Sequence, residues 1–167
     1  MKIAKIINNN VVSTCDEEGR EIIVMGRGVG FKAKEGSTID EEKVEKIFRL
    51  ESQNTMDKFK ELLENLPMEH VQISAEIIGY AKEVLNRPIN PNVYITLTDH
   101  INFALERYKQ KMMFSNPLIR EVRSFYHAEY LIGEYAIAMI ERDLGVKLPV
   151  DEAASIALHI VNAEDDA

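Results

Sequence analysis

The chain has 167 residues, 46% of them hydrophobic, with 20 Lys/Arg against 28 Asp/Glu and a net charge of −8. That is ample apolar material for one or two packed domains, and the single cysteine, Cys15, excludes a disulfide framework and a cysteine-rich zinc site, as in a reducing cytosol. No signal-peptide core follows Lys2 and Lys5, and no apolar run nears the ~20 residues that span a bilayer, so the sequence reads as a soluble cytoplasmic protein without membrane insertion.

The charge is unevenly spread. Residues 1–34 hold six Lys/Arg and four acids, a balance of +2, whereas residues 35–167 hold 14 Lys/Arg and 24 acids, a balance of −10. All four early acids (Asp16, Glu17, Glu18, Glu21) fall around Gly19, so the rest of that module is purely basic. A basic Asn/Gly-rich sheet fused to an acidic helical body suggests a polyanion reader attached to something that controls it.

Residues 2–7 (KIAKII) read as a first strand that ends at Asn8-Asn9-Asn10, because Asn tolerates the backbone geometry of tight turns. Val11–Cys15 is a second strand, residues 16–19 a polar hairpin loop and Glu21–Met25 a third strand. After the turn Gly26-Arg27-Gly28-Val29-Gly30, Phe31–Lys34 reads as a short fourth. A four-stranded antiparallel meander is marginal alone, since one face lacks a cover, and dimerisation is the natural remedy. Thr38 and Glu41 form a capping-box pattern that predicts a short helix over 40–47, and the polar residues 51–55 (ESQNT) are the best candidate linker.

Helical periodicity dominates the remainder. Apolar residues predict one helix from Met56 to Leu66, a second over 73–85, a third over 93–104, a long fourth over 118–144 and a last one from about Pro149. The fold class is therefore α+β: a small four-stranded antiparallel sheet in residues 1–55, counting the linker, followed by a five-helix bundle in residues 56–167. The terminal EDDA reads as a solvated end.

Turns between strands can emerge at one end of a meander, which would gather Asn8, Asn9, Asn10 and Gly26-Arg27-Gly28. Amides hydrogen-bond base edges, Gly lets backbone approach a base or phosphate, Arg27 suits phosphate or guanine, and Phe31 offers a stacking plate. The same Asn and Gly residues equally serve turn geometry, and Phe31 equally suits a core. GRGVG completes neither the dinucleotide fingerprint nor the Walker pattern, which argues against nucleotide binding.

Of the four histidines, His70 and His127 have polar surroundings and read as surface residues. His100 and His159 lie among apolar residues on predicted helices, where a histidine is ordinarily part of the core. Asp99 beside His100 can orient an imidazole and keep one ring nitrogen nucleophilic, as phosphoryl acceptance requires. A metal site is the other reading of that set, but no HExxH is present and the spacing is non-local. Nothing resembles a nucleophile elbow or a paired-carboxylate site, so no enzyme and no cofactor is expected. Glu134, Glu141 and Asp143 read as one solvated helix face, and Met112-Met113 as gap-fillers.

Four segments in order, KIAKIINNNVV, EIIVMGRGVGFK, YITLTDHINFAL and LPVDEAASIALHIVNAE, resemble the BglG/SacY/LicT family of bacterial transcription antiterminators along the whole chain. The first two are similar to its co-antiterminator RNA-binding domain, the last two to its first phosphotransferase-system regulation domain. The resemblance implies a homodimeric sheet that clamps a hairpin in a nascent leader mRNA, mutually exclusive with a terminator. It implies RNA contacts at Lys5, Asn8, Asn10, Gly26, Arg27 and Phe31, and phosphorylation at His100 and His159 with Asp99 in support.

The implied phosphoryl donor is a sugar-specific permease of the phosphotransferase system, acting when sugar is absent, with HPr as a further donor. A phosphohistidine adds roughly −2 charge to an already acidic body, and like charges facing across a dimer would shift the dimer population. The family's second regulation domain does not follow Ala167, which points to a shortened form that binds RNA without activation; HPr-dependent activation is not assigned to these residues. The competing class is a histidine phosphocarrier or docking protein. A DNA-binding activator would need a helix-turn-helix where the first 50 residues read as strands.

Overall fold

The computed structural model describes residues 1–113 and 115–165, so the last two residues of the expected solvated end lie outside it. The chain divides into two compact units, residues 1–68 and the residues from Glu69 onward.

In the first unit, strands β1 (Lys5–Asn8), β2 (Val11–Cys15), β3 (Glu21–Met25) and β4 (Lys46–Phe48) form an antiparallel sheet in sequence order. The meander thus has the expected class, but its fourth strand lies at 46–48 instead of 31–34. Residues 28–33 instead make successive turns, with Phe31 N–H donating to Gly28 O and Ala33 N–H to Gly30 O, and Lys32 in the left-handed region at φ 55°. The expected helix over 40–47 shrinks to one 3₁₀ turn, Glu41–Lys43. Its cap is Asp40, whose carboxylate accepts the Glu42 N–H, while Thr38 pairs with Lys2 in an isolated bridge.

The pleat sends alternate residues to opposite faces. The row Ile6, Val12, Val24, Ile47 packs with Ile3, Val29, Ala33, Ile39 and Val44. The long excursion between β3 and β4 therefore covers that face. Ile23, Met25 and Phe48 belong to the other face, which is covered by helix α1 (Gln53–Asn65) with Met56, Phe59 and Leu63 buried. The Phe48 and Phe59 rings meet edge-on at 4.9 Å, and Lys60 Nζ on α1 binds both carboxylate oxygens of Glu21 on β3, at 2.8 and 3.1 Å. Both faces of the sheet are thus covered within the unit, so an uncovered face supplies no argument for dimerisation. Helix α1 is capped by the Ser52 hydroxyl, which accepts the Thr55 N–H. It ends at Leu66, held extended because Pro67 follows.

The second unit comprises α2 (Met68–Leu85, starting at the boundary), α3 (Val93–Lys109), α4 (Ile119–Phe125), α5 (His127–Leu144) and α6 (Asp151–Asp165). The fourth periodic segment is therefore two helices. They part at Tyr126 (φ −127°, ψ 54°), and the bend lets Val122 and Tyr130 both bury against Ala153, Ala154 and Ala157 of α6. Gly133 on α5 permits a backbone-to-backbone approach, since a Cβ there would lie 2.0 Å from Ala153 O. Tyr80 of α2 stacks on Tyr135 of α5 at 3.9 Å. No helix among the described residues is long and apolar enough to cross a membrane.

Candidate functional site

In the first unit the two turns expected to gather do meet, and Asn10 is the residue that joins them. Its backbone carbonyl accepts the Gly26 N–H at 2.9 Å and its side-chain Oδ1 accepts the Gly28 N–H at 2.9 Å. Asn9 O accepts the Gly30 N–H at 2.9 Å. The approach is backbone against backbone: a Cβ on Gly30 would sit 2.3 Å from Asn8 O. Asn8 is turned inward. Its Oδ1 accepts the Asn10 N–H at 2.8 Å and its Nδ2 donates to Leu63 O at 3.1 Å, so both ends of the amide are used inside the unit.

Gly26 is buried, Arg27 is exposed, and Phe31 is 55% exposed with Lys32 Nζ 5.4 Å from its ring centroid. A phenyl ring left in water beside a cation is an unusual use of an aromatic residue, and it matches what base stacking needs. Arg27 N–H donates to the Glu45 carboxylate at 2.9 Å, which fixes the loop below the guanidinium. Lys5 is exposed on β1 on the side of α1. There the Asp57 carboxyl is held below its usual range by hydrogen bonds from Gln53 and Lys60, with the charge of Lys5 adding to the effect.

In the second unit the two singled-out histidines are brought together from different helices. The rings of His100 (α3) and His159 (α6) lie 4.8 Å apart at 45°. Between the same helices Glu152 divides its carboxylate: Oε2 is 2.9 Å from His100 Nε2, and Oε1 accepts from Arg107 Nη2 at 2.8 Å. The Glu152 side chain is only 6% exposed. Burial opposes its charge, but the hydrogen bond from His100 and the charges of His100 and Arg107 hold its carboxyl below the usual range. Burial and the neighbouring His100 push His159 down to about 4, against the pull of Glu152 and Asp99, so that ring is neutral at physiological pH.

Asp99 is exposed, and its charge bears on His159. Glu152 and Arg107 did not stand out in the sequence, although a signal existed. His100 and Arg107 are seven residues apart on α3, and Glu152 and His159 seven apart on α6, so each helix shows one histidine and one charge on a single face. His127 is exposed, whereas His70 is half-buried with Nδ1 3.1 Å from Asn102 Oδ1.

The chain thus joins a sheet module with two fastened turns to a helical unit with a half-buried histidine pair. Residues 1–57 match the CAT RNA binding domain and residues 75–163 match the PRD domain. The chain belongs to the BglG/SacY/LicT family of transcription antiterminators. It is 48% identical over 164 residues to the transcription antiterminator LicT of Bacillus subtilis (strain 168), covering 98% of this chain and 59% of that protein. It is 47% identical over 167 residues to the beta-glucoside operon antiterminator of Dickeya chrysanthemi, covering 100% of this chain and 59% of that protein. The crystal structure of GlcT CAT-PRDI superposes with a TM-score of 0.85 at 34% identity, covering 98% of this chain and 97% of that one. The chain thus spans about three-fifths of the length of the curated relatives it matches.

Proposed function

We propose that this chain is an RNA-binding transcription antiterminator, which holds a leader-mRNA hairpin against a terminator and is controlled by histidine phosphorylation. Reading is assigned to residues 1–55 and control to residues 56–167. The observation that carries the proposal is the Asn10 fastening, which sets exposed Arg27 and Phe31 on a loop locked by backbone hydrogen bonds. Preorganised cation and ring suit the unstacked bases of an internal loop. Lys5 adds charge, while Asn8, Asn10 and Gly26 shape the turns from which those groups project.

Control is assigned to His100 and His159, with a sugar-specific permease of the phosphotransferase system as donor and HPr as a further one. The active species is a homodimer, and a phosphoryl group on an acidic helical unit biases its population by electrostatic repulsion. The names of LicT and of the beta-glucoside operon antiterminator support the antitermination part of this reading.

The test titrates the chain against a leader hairpin with paired internal loops and against a scrambled hairpin, near physiological salt. Specific binding that falls by tenfold or more (about 1.4 kcal/mol) in Arg27→Ala and in Phe31→Ala is expected. Weak binding, equal for both RNAs and indifferent to those changes, would move the function to a histidine phosphocarrier or docking role.

A further inference from the structure

We propose that Glu152 is the positioning residue of the histidine pair, fixing His100 with hydrogen on Nε2 so that the Nδ1 lone pair is the phosphoryl acceptor. The inference deepens the reading above and rests on it for the phosphorylation itself. An ionised carboxylate only accepts hydrogen bonds. The Glu152 oxygen 2.9 Å from His100 Nε2 therefore requires a hydrogen on that nitrogen, and in the neutral ring the lone pair is then on Nδ1. Arg107 holds the other oxygen at 2.8 Å and keeps the carboxylate from turning. Its guanidinium also lies 4.5 Å over the ring of Phe103, which fixes the far side of the clamp.

The arrangement also selects between the two nitrogens. A phosphoryl group on Nε2 would put about two negative charges against a carboxylate whose side chain is 6% exposed. Attack from Nδ1 has the opposite electrostatics. The Nδ1 lone pair forms the new N–P bond and the ring becomes a cation that keeps its Nε2 hydrogen. The bond from phosphorus to the donor atom breaks, and its electron pair leaves on that atom. Glu152 then faces the positive charge as it develops, the role a buried carboxylate plays behind a nucleophilic or basic imidazole. His159, 4.8 Å away and neutral, brings no competing charge.

The experiment uses the chain labelled with ¹⁵N in its histidines and potassium phosphoramidate as the probe donor, whose leaving nitrogen departs as ammonia. Imidazole ¹⁵N spectra before reaction report the His100 tautomer, and phosphorus–nitrogen coupling afterwards reports the modified nitrogen. Expected are an Nε2–H tautomer, phosphorylation at Nδ1, and a loss of about tenfold or more in the His100 rate in Glu152→Gln, with a mixed tautomer in that variant. Glu152→Asp, which keeps a carboxylate, should recover part of both, and dispersed spectra verify that each variant is folded. Mixed tautomers in the parent chain, phosphorylation at Nε2, or an unaltered tautomer and rate in Glu152→Gln would each overturn the positioning role. An intact Nε2–H tautomer on a His100 that takes up no phosphoryl group would instead sink the phosphorylation reading and leave the positioning standing.

Discussion

Asn8 and Leu63 are joined by a hydrogen bond from the Asn8 side-chain amide to the Leu63 carbonyl, at 3.1 Å, which ties the turn after β1 to the last turn of α1. A helix leaves its final carbonyls without intrahelical partners, and Asn8 supplies one. The same side chain accepts the Asn10 N–H, so Asn8→Ala removes two bonds at once. It should destabilise the sheet unit by about 1–2 kcal/mol, read from faster hydrogen exchange along the β1–β2 ladder. RNA affinity lost without any change in exchange would make Asn8 a direct contact instead.

Gly30 and Gly28 make a paired test of the loop. At Gly30 an added Cβ meets the Asn8 carbonyl oxygen at 2.3 Å, and neither backbone can withdraw without breaking the Gly30–Asn9 hydrogen bond. Gly28 has φ +75° but open space around its Cβ position. Gly28→Ala should therefore cost about 1 kcal/mol, the ordinary penalty for a left-handed residue. Gly30→Ala should cost more than twice that. Thermal melts of the two variants compare them directly, and equal losses would contradict the backbone packing described.

The depressed His159 predicts an acid-sensitive helical unit. An unfolded histidine takes up its proton near pH 6.5, whereas the folded one resists until about pH 4. Between those values the unfolded chain binds more protons, so folding stability falls as pH falls, by up to roughly 1.4 kcal/mol per pH unit. Full stability from this group is present above pH 6.5. Denaturant titrations of the parent and of His159→Phe at pH 4.5 and 7.5 should show a smaller pH difference in the variant.

A second group works in the opposite sense. Glu164 on α6 is raised to about 7 by burial and by the Glu129 carboxylate, with Arg87 opposing at 3.1 Å. The folded chain then holds a proton that the unfolded one has lost, so this contribution is present below about pH 4.5 and disappears as pH rises through 7. Glu164→Gln should stabilise the unit at pH 8 by on the order of 1 kcal/mol, given partial compensation by Arg87. At pH 4 it should change little. A melting series across that range checks the crossover.

Much of the fold was legible because it depends on local rules. Val11–Cys15 and Glu21–Met25 are β-branched runs flanked by turn formers, and Pro67 and Pro88 punctuate helices as expected. What escaped depends on distant partners. Phe31–Lys34 has the composition of a strand, but Gly30 is pressed against Asn8, which bends the chain away from the sheet edge. Lys46–Phe48 follows a capping pattern, yet Phe48 is claimed by Phe59 of α1. Neither Pro nor Gly marks the break at Tyr126, because its cause is the surface of α6. The histidines were visible by type, whereas Glu152 and Arg107 acquire meaning only when α3 and α6 lie side by side.

That dependence on two helices makes the histidine centre conditional on tertiary structure. His100 stands on α3, whereas Glu152, the buried carboxylate that contacts it, stands on α6. A nascent chain whose α6 has not emerged, or one partly unfolded by heat, presents His100 without its carboxylate partner. Under the proposed phosphorylation, transfer directed by this geometry is confined to molecules in which α3 and α6 have docked, so that a mark on His100 would also certify the fold that bears it.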